Sequence, residues 1–289
     1  MEPEPLRSAE RRATATAMGD VDPEFAGSVA GRKAQAKILA HREEIAAARG
    51  MVSRGARVSV LDGSERSPEE LVDIARRFGS AIFVVSRSEA DRYSRTVVAA
   101  GLGTGSFLIY ASSDVAFARC RALVADQLPR RLELRPCRID GHSSAELIAK
   151  VQRLLEACGL PALPGYFLRG RTQPNLTLAL LDRADAAVGM AIAMDDTSAG
   201  PAYTGWYFAA SVAVAASWQG KGLGRWLNAA VIDLARREGG AVQVRESVSP
   251  TNIASRRMIE GCGLVLCEDI VAVLASAAAT PAAWRDGRS

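Results

Sequence analysis

The sequence predicts an α/β (α+β) protein: a small α/β domain with a short parallel sheet, followed by a larger unit built on a mixed sheet. Three observations predict it. Short β-branched segments alternate with helical segments between residues 57 and 127, the pattern of strands laid parallel with helices on their faces. Leu128-Pro129-Arg130-Arg131 then interrupts the chain. Beyond it, Ser211–Arg225 runs from an apolar strand through a glycine-rich turn into a helix.

Taken in order, residues 1–28 are rich in Ala, Glu, Arg, Pro and Gly without periodicity and are expected to be a mobile tail. Residues 28–49 suit a helix with Ile38 and Ile45 as its large apolar positions. Arg57–Leu61 is a candidate strand. Ser67-Pro68-Glu69-Glu70 carries a cap, a proline at the first helical position and a glutamate at the third; Leu71, Ile74, Ala75 and Phe78 then form the apolar face, closed by Gly79. Ala81–Val85 and Ser106–Ala111 are strands, and Ser88–Ala100 and Ser113–Gln127 are helices. Gly101–Gly105 is glycine-rich but follows a helix and precedes a strand, so it is expected to be a connection rather than an anion site. Asp62 ends a strand beside Gly63 and is expected to serve the turn. The unit 29–128 shows no chemical signature; gripping a substrate or forming a homodimer would both suit it.

The second unit is expected over residues 131–280. It begins with a strand at Leu132–Arg138, then a helix capped by Ser143 with Glu146. Leu176–Leu181 and Ala187–Ala193 make a hairpin around Asp182–Asp185. A strand at about Tyr203–Ala215 enters the glycine turn; Leu227, Ala230, Val231, Leu234 and Ala235 mark one face of the helix that follows, to Gly239-Gly240. Val242–Val248, a helix from Asn252 and a last strand at Asp269–Leu274 complete the order.

Composition narrows the function. Of 289 residues, 48% are hydrophobic, enough for a sizeable core, and the net charge of +4 comes with no Lys/Arg run interleaved with aromatics; nucleic acid is not an expected partner. Five scattered cysteines with no C-x-x-C point to reduced, mostly buried thiols and a cytoplasmic setting. Two histidines cannot build a multi-histidine metal site, and no metal is expected. No stretch of 18 apolar residues is present, so no membrane span is expected. The N-terminal M-E-P-E-P has no apolar core of a secretion signal.

The glycine turn carries the chemistry. Glycines at a helix start allow close backbone approach, and the free first-turn N–H groups with the helix dipole attract an anion such as a pyrophosphate. The spacing matches neither the P-loop nor the dinucleotide fingerprint, because Gly220, Gly222 and Gly224 alternate. What remains is Q-x-x-G-x-G, with Gln219, Gly222 and Gly224 at its fixed places. Downstream stand Asn252, Ser255, Met258, Gly263 and Leu264 in N-I-A-S-R-R-M-I-E-G-C-G-L. Together these two motifs resemble the GCN5-related N-acetyltransferases (GNAT) over about residues 131–280.

The resemblance implies a splayed central sheet that takes the pantetheine arm of acetyl-CoA, used as co-substrate. Val212 and Val214 would lie along the arm, and a backbone N–H at Val214 would serve as an oxyanion contact. Gly220, Lys221, Gly222, Leu223, Gly224 and Arg225 would wrap the pyrophosphate, with Asn252 and Ser255 beside the pantetheine. Lys221 and Arg225 read equally well as solvated surface charges, and Asn252 as a helix cap. The implied reaction is direct acetylation of a primary amine, of a small molecule or of a protein N-terminus or lysine; a non-catalytic acyl-CoA sensor is the contrasting reading. The strand Tyr203–Ala216 holds no Asp, Glu or His, so Glu246 on the next strand is the candidate base, against an ion pair with Arg245 or an edge position; Tyr207 and Ser211 are further polar candidates. Where many members carry an acidic Tyr, seven residues after the Asn, this chain has Ile259; a water or Ser255 would have to protonate the leaving thiolate. The first unit could also be a decayed acetyltransferase half.

Overall fold

The computed structural model describes residues 24–277; most of the expected N-terminal tail lies outside them. The elements run α1 (Val29–Ala40), α2 (Arg42–Ala47), β1 (Met51–Ser53), β2 (Val58–Val60), α3 (Pro68–Phe78), β3 (Ser80–Ser86), α4 (Ala90–Ala99), β4 (Gly103–Ala111), α5 (Asp114–Ala125), α6 (Leu128–Arg131) and β5 (Arg135–Ile139). They continue with α7 (Ala145–Ala157), α8 (Gly165–Leu168), β6 (Leu176–Leu181), β7 (Ala187–Asp195), β8 (Trp206–Val214), α9 (Leu223–Glu238), β9 (Gln243–Val248), α10 (Ile253–Gly261) and β10 (Val265–Ser276).

Local chemistry sets the boundaries. Ser67 and Glu70 close a reciprocal capping box on α3, and Gly79 ends it in the left-handed region at φ 86°. The cap of α7 falls one residue later than expected: Ser144 accepts from the Leu147 N–H, while Ser143 instead donates its hydroxyl to Asp140. Asp62 ion-pairs with Arg49 and Arg66 at the turn after β2. Gly103 and Gly105 are the start of β4.

One mixed sheet of ten strands, ordered β1-β2-β3-β10-β4-β9-β8-β7-β6-β5, holds both halves together. In the first half only β2 and β3 pair in parallel. The short parallel sheet expected there is therefore a single parallel ladder, because β10, the last strand of the second half, inserts antiparallel between β3 and β4. β4 in turn pairs with β9. The physical cause is apolar pattern: Val271, Val273 and Ala275 of β10 complete the core begun by Val58, Val60, Phe83, Val85 and helices α3 and α4.

A second core lies under α9, where Leu223, Trp226, Leu227, Ala230, Val231 and Leu234 pack with residues of α5 and β9. The third core packs α7 and α8 against β6 and β7. Of the five cysteines, Cys120 and Cys262 are buried; Cys137, Cys158 and Cys267 are only partly covered, fewer buried thiols than expected. Among the described residues no helix is long and apolar enough to cross a membrane.

Candidate active site

β8 and β9 pair in parallel over only three positions, Trp206 with Gln243, Tyr207 with Val244 and Phe208 with Arg245. Past Phe208 the strands part. β9 stays with its other neighbour, pairing Glu246 with Tyr110, Ser247 with Ile109 and Val248 with Leu108 of β4. β8 stays with β7, pairing Ala210 with Ile192, Ala213 with Met190 and Val214 with Gly189. Between Met190 and Ile192 β8 spends one residue more than β7, and Ser211 at φ 53° takes up the excess. This bulge bends β8 away from β9. A wedge with two differently held edges results.

Backbone donors on the wedge edge follow from strand alternation. The Ala215 N–H donates to the Val188 carbonyl on the β7 side, so the preceding N–H, that of Val214, points to the opposite side, into the wedge. The Val214 carbonyl accepts from Gln219 Nε2 at 3.0 Å and from Cys158 Sγ at 3.4 Å. Gln219 thus ties the glycine turn back to the strand end.

The turn itself is exposed from Gln219 to Gly222. Gly220 (φ 75°) and Gly222 (φ 82°) both sit in the left-handed region, and Gly222 caps α9 with no side chain in its place. Its carbonyl accepts from the Trp226 N–H at 3.1 Å, leaving the first-turn N–H groups of Leu223, Gly224 and Arg225 directed out of the helix end. A Cβ at Gly224 would meet Met258 Sδ at 3.5 Å and Val214 Cγ2 at 4.0 Å, so a side chain there would enter the mouth of the wedge. Lys221 lies over the Trp218 ring, 4.3 Å from its centroid, and Arg225 is exposed, its Cδ within 2.9 Å of where a Cβ on Gly261 would sit. Asn252 is buried; its side chain accepts from the Ser255 N–H at 3.0 Å and caps α10.

A cavity of about 250 Å³ opens from the wedge, and Val212, Glu246, Asn252, Ser255, Met258 and Ile259 line that end of it. Glu246 is the first β9 residue beyond the last β8 pair and is 3% exposed. Its carboxyl points toward α9, where Asn228 Nδ2 donates to Oε1 at 2.7 Å. Its pKa is raised to about 8, first by burial and then by the nearby Cys262, against the Asn228 hydrogen bond, which draws it down. The ion pair with Arg245 and the solvated edge are both excluded. Arg245 leaves the opposite face of the strand and stacks on Trp206, 4.2 Å from the ring centroid. Tyr207 is buried on the α9 side, with its hydroxyl against the Gly239 carbonyl, outside the cavity.

The far wall of the cavity belongs to the first half of the chain. Ser59 is registered with Ile82, Val84 with Ala272, Ala272 with Phe107, Ile109 with Ser247, and Phe208 with both Arg245 and Met194. These partners all line the cavity, so one face of the sheet from β2 to β7 curves around it. Arg54 and Arg57, in the turn between β1 and β2, also reach it. Arg54 Nη1 binds Asp196 Oδ1 at 2.5 Å, its Nε donates to Ser59 Oγ at 3.2 Å, and its guanidinium lies 4.5 Å from the Phe208 centroid. Sequence reasoning missed Arg54, Arg57, Asp196 and the Ser211 bulge. Only the paired acids at the end of β7 and the two arginines of one tight turn stood in the sequence as signals.

Residues 148–264 match the model of the acetyltransferase (GNAT) family. Among solved structures, a GCN5-related N-acetyltransferase from Kribbella flavida is similar at a TM-score of 0.50 and 13% identity, over 89% of this chain and 99% of that one. A protein from Drosophila is similar at a TM-score of 0.50 and 14% identity, over 86% and 89%. At such identity the likeness is one of fold. No curated protein matches the sequence.

Proposed function

We propose that the protein transfers an acetyl group from acetyl-CoA to the primary amine of a small molecule by direct attack. The observation that carries this reading is the end of the β8–β9 ladder at Phe208 and Arg245. It leaves the Val214 end of β8, which adjoins the N-terminus of α9 at Gly224, without a β9 partner, and Glu246 lines the cavity beside it.

The assignments follow from position. The amides of Gly220, Lys221, Gly222, Leu223, Gly224 and Arg225 hold the pyrophosphate, with dipole and N–H bonds acting together. Lys221 is held over Trp218, and it and Arg225 add charge at the turn's surface. Val212, Asn252 and Ser255 flank the pantetheine arm. The Val214 N–H stabilises negative charge developing on the thioester oxygen.

In the chemical step the amine lone pair forms the N–C bond while the C–S bond breaks. The Glu246 carboxylate takes the amine proton, and the leaving thiolate is protonated by water or Ser255. Ile259 is 2% exposed and packs in the α9 core, so it supplies no proton. A thiol of pKa about 8.5 is nonetheless a fair leaving group unprotonated. A small-molecule acceptor is favoured over a protein because the cavity, lined by both halves of the sheet, is about 250 Å³, below the roughly 300–1,000 Å³ of drug-sized sites. Calorimetry with acetyl-CoA, followed by a thiol-release assay over a panel of small amines, tests the reading. Binding with release is expected; binding without release from any amine favours a sensor, and absence of binding removes the reading.

A further inference from the structure

The transferase reading leaves the acceptor unnamed, but the cavity wall is chemically biased. Three guanidinium groups line it, from Arg54, Arg57 and Arg245. The carboxylates that line it with them are Asp196 and Glu246. Asp196 already serves Arg54 through a direct bond at 2.5 Å. Burial raises the Glu246 pKa to about 8, so its carboxyl is mostly protonated at neutral pH.

Arg245 keeps an unused donor. Its Nε is buried and has no hydrogen-bond partner, and its guanidinium carbon lies over the Trp206 ring, 4.2 Å from the centroid. Burial holds its pKa below the usual arginine value. A stacked guanidinium with an orphaned donor is poised to accept a planar anion through paired N–H bonds. Leaving such a donor buried and unpaired is otherwise costly.

The position of Arg245 adds a geometric constraint. It precedes Glu246 on β9, so the two side chains leave opposite faces of one strand at the apex of the wedge. An anion on Arg245 therefore lies on the cavity face of β9, one residue along the strand from Glu246, where β8 and β9 part. The same guanidinium groups disfavour an ammonium nearby, because like charges repel more strongly away from bulk water. Arginines that attract one end of the acceptor thus help the other end to be neutral.

Building on the transferase reading, we propose that the acceptor is an amine that also carries a carboxylate, an amino acid-like molecule, whose carboxylate docks on Arg245 against the wall formed by Arg54 and Arg57.

The test uses the full-length protein and acetyl-CoA. Thiol release is measured for matched pairs, each an α- or ω-amino acid and its carboxamide, with kcat/KM expressed per free amine. The wild type is expected to prefer the carboxylate member of at least one pair by tenfold or more. Arg245→Gln is expected to bring the carboxylate-to-carboxamide ratio within about threefold, whatever the absolute rates, and Arg245→Lys to keep part of the preference. Unchanged acetyl-CoA affinity and circular dichroism show that the variants are folded; the wild-type panel decides even if they are not. Equal rates within every pair, or a preference that survives Arg245→Gln, overturns this inference and leaves the transferase standing. Acetyl-CoA binding with no release from any amine overturns the transferase reading and the inference with it.

Discussion

Glu246 is a carboxyl whose surroundings keep it neutral through most of the physiological range, and its behaviour is open to three measurements. General bases contribute typically 10²–10⁴-fold, so Glu246→Gln should lower kcat by that order with acetyl-CoA affinity unchanged; loss of affinity instead would move Glu246 from the base role to cofactor binding. In the wild type, kcat/KM should climb with pH and level off above about 8, where the carboxylate is formed. Asn228 donates to the charged form, so Asn228→Ala should push that inflection higher. Stability gives an independent reading. The folded pKa of about 8 exceeds the ordinary value of 4.5, so the folded state binds the extra proton and the wild type loses stability as pH rises through that window. The melting-temperature advantage of Glu246→Gln over wild type should therefore open between pH 4.5 and 8 and stay flat above. A constant difference across the range would show that the carboxyl is not buried as described.

At the scale of elements, the strand–turn–helix Trp206–Glu238 was largely legible, and the reason is backbone chemistry. Alternating valines, glycines where φ must be positive, and a 3.6-residue apolar stripe are local signals that tertiary context does not override. Gly222→Val puts a β-branched residue at φ 82°, costing about 1–3 kcal/mol in strain, and sets its Cβ 3.5 Å from Leu128 Cδ2, so the turn that presents the amides must shift. Gly240→Ala serves as the control, since Gly240 has φ 67° with no atom near its missing Cβ and lies at the far end of α9. Both variants should lose melting temperature, and only Gly222→Val should lose acetyl-CoA affinity, by tenfold or more in calorimetry. The Ser211 bulge was not legible, because a serine carries no preference for φ 53°; the bend is imposed by the strands on either side. Arg54 and Arg57 were missed for a similar reason: their role comes from sheet curvature that brings a turn from the start of the chain to a wedge near its end.

At the scale of the whole molecule, the expected break near Leu128–Arg131 marks a change of element but not a seam in the sheet. Alternation of strand and helix was visible locally, whereas strand order depends on which apolar faces meet, and the partner of β3 lies far along the chain. Ile270 is registered with Ser86 and Ser276 with both Ser80 and Gly103. The isolated segment 131–280 is therefore expected to lack fixed tertiary structure, since β10 would lose both neighbours and β9 its β4 edge. Near-ultraviolet circular dichroism of that segment should be weak beside that of the full chain; a native-like spectrum would show that the second half stands alone.

The keystone placement of β10 also has a consequence for biosynthesis. Between the emergence of β4 from the ribosome and that of β10, at about 5–20 residues per second, roughly ten to thirty seconds pass. Throughout that interval β3 and β4 present facing, unzipped edges with nothing to lie between them, the sort of exposed ladder that recruits other nascent chains. Crowded translation of this protein should therefore lean on chaperones until the final strand slides into its slot.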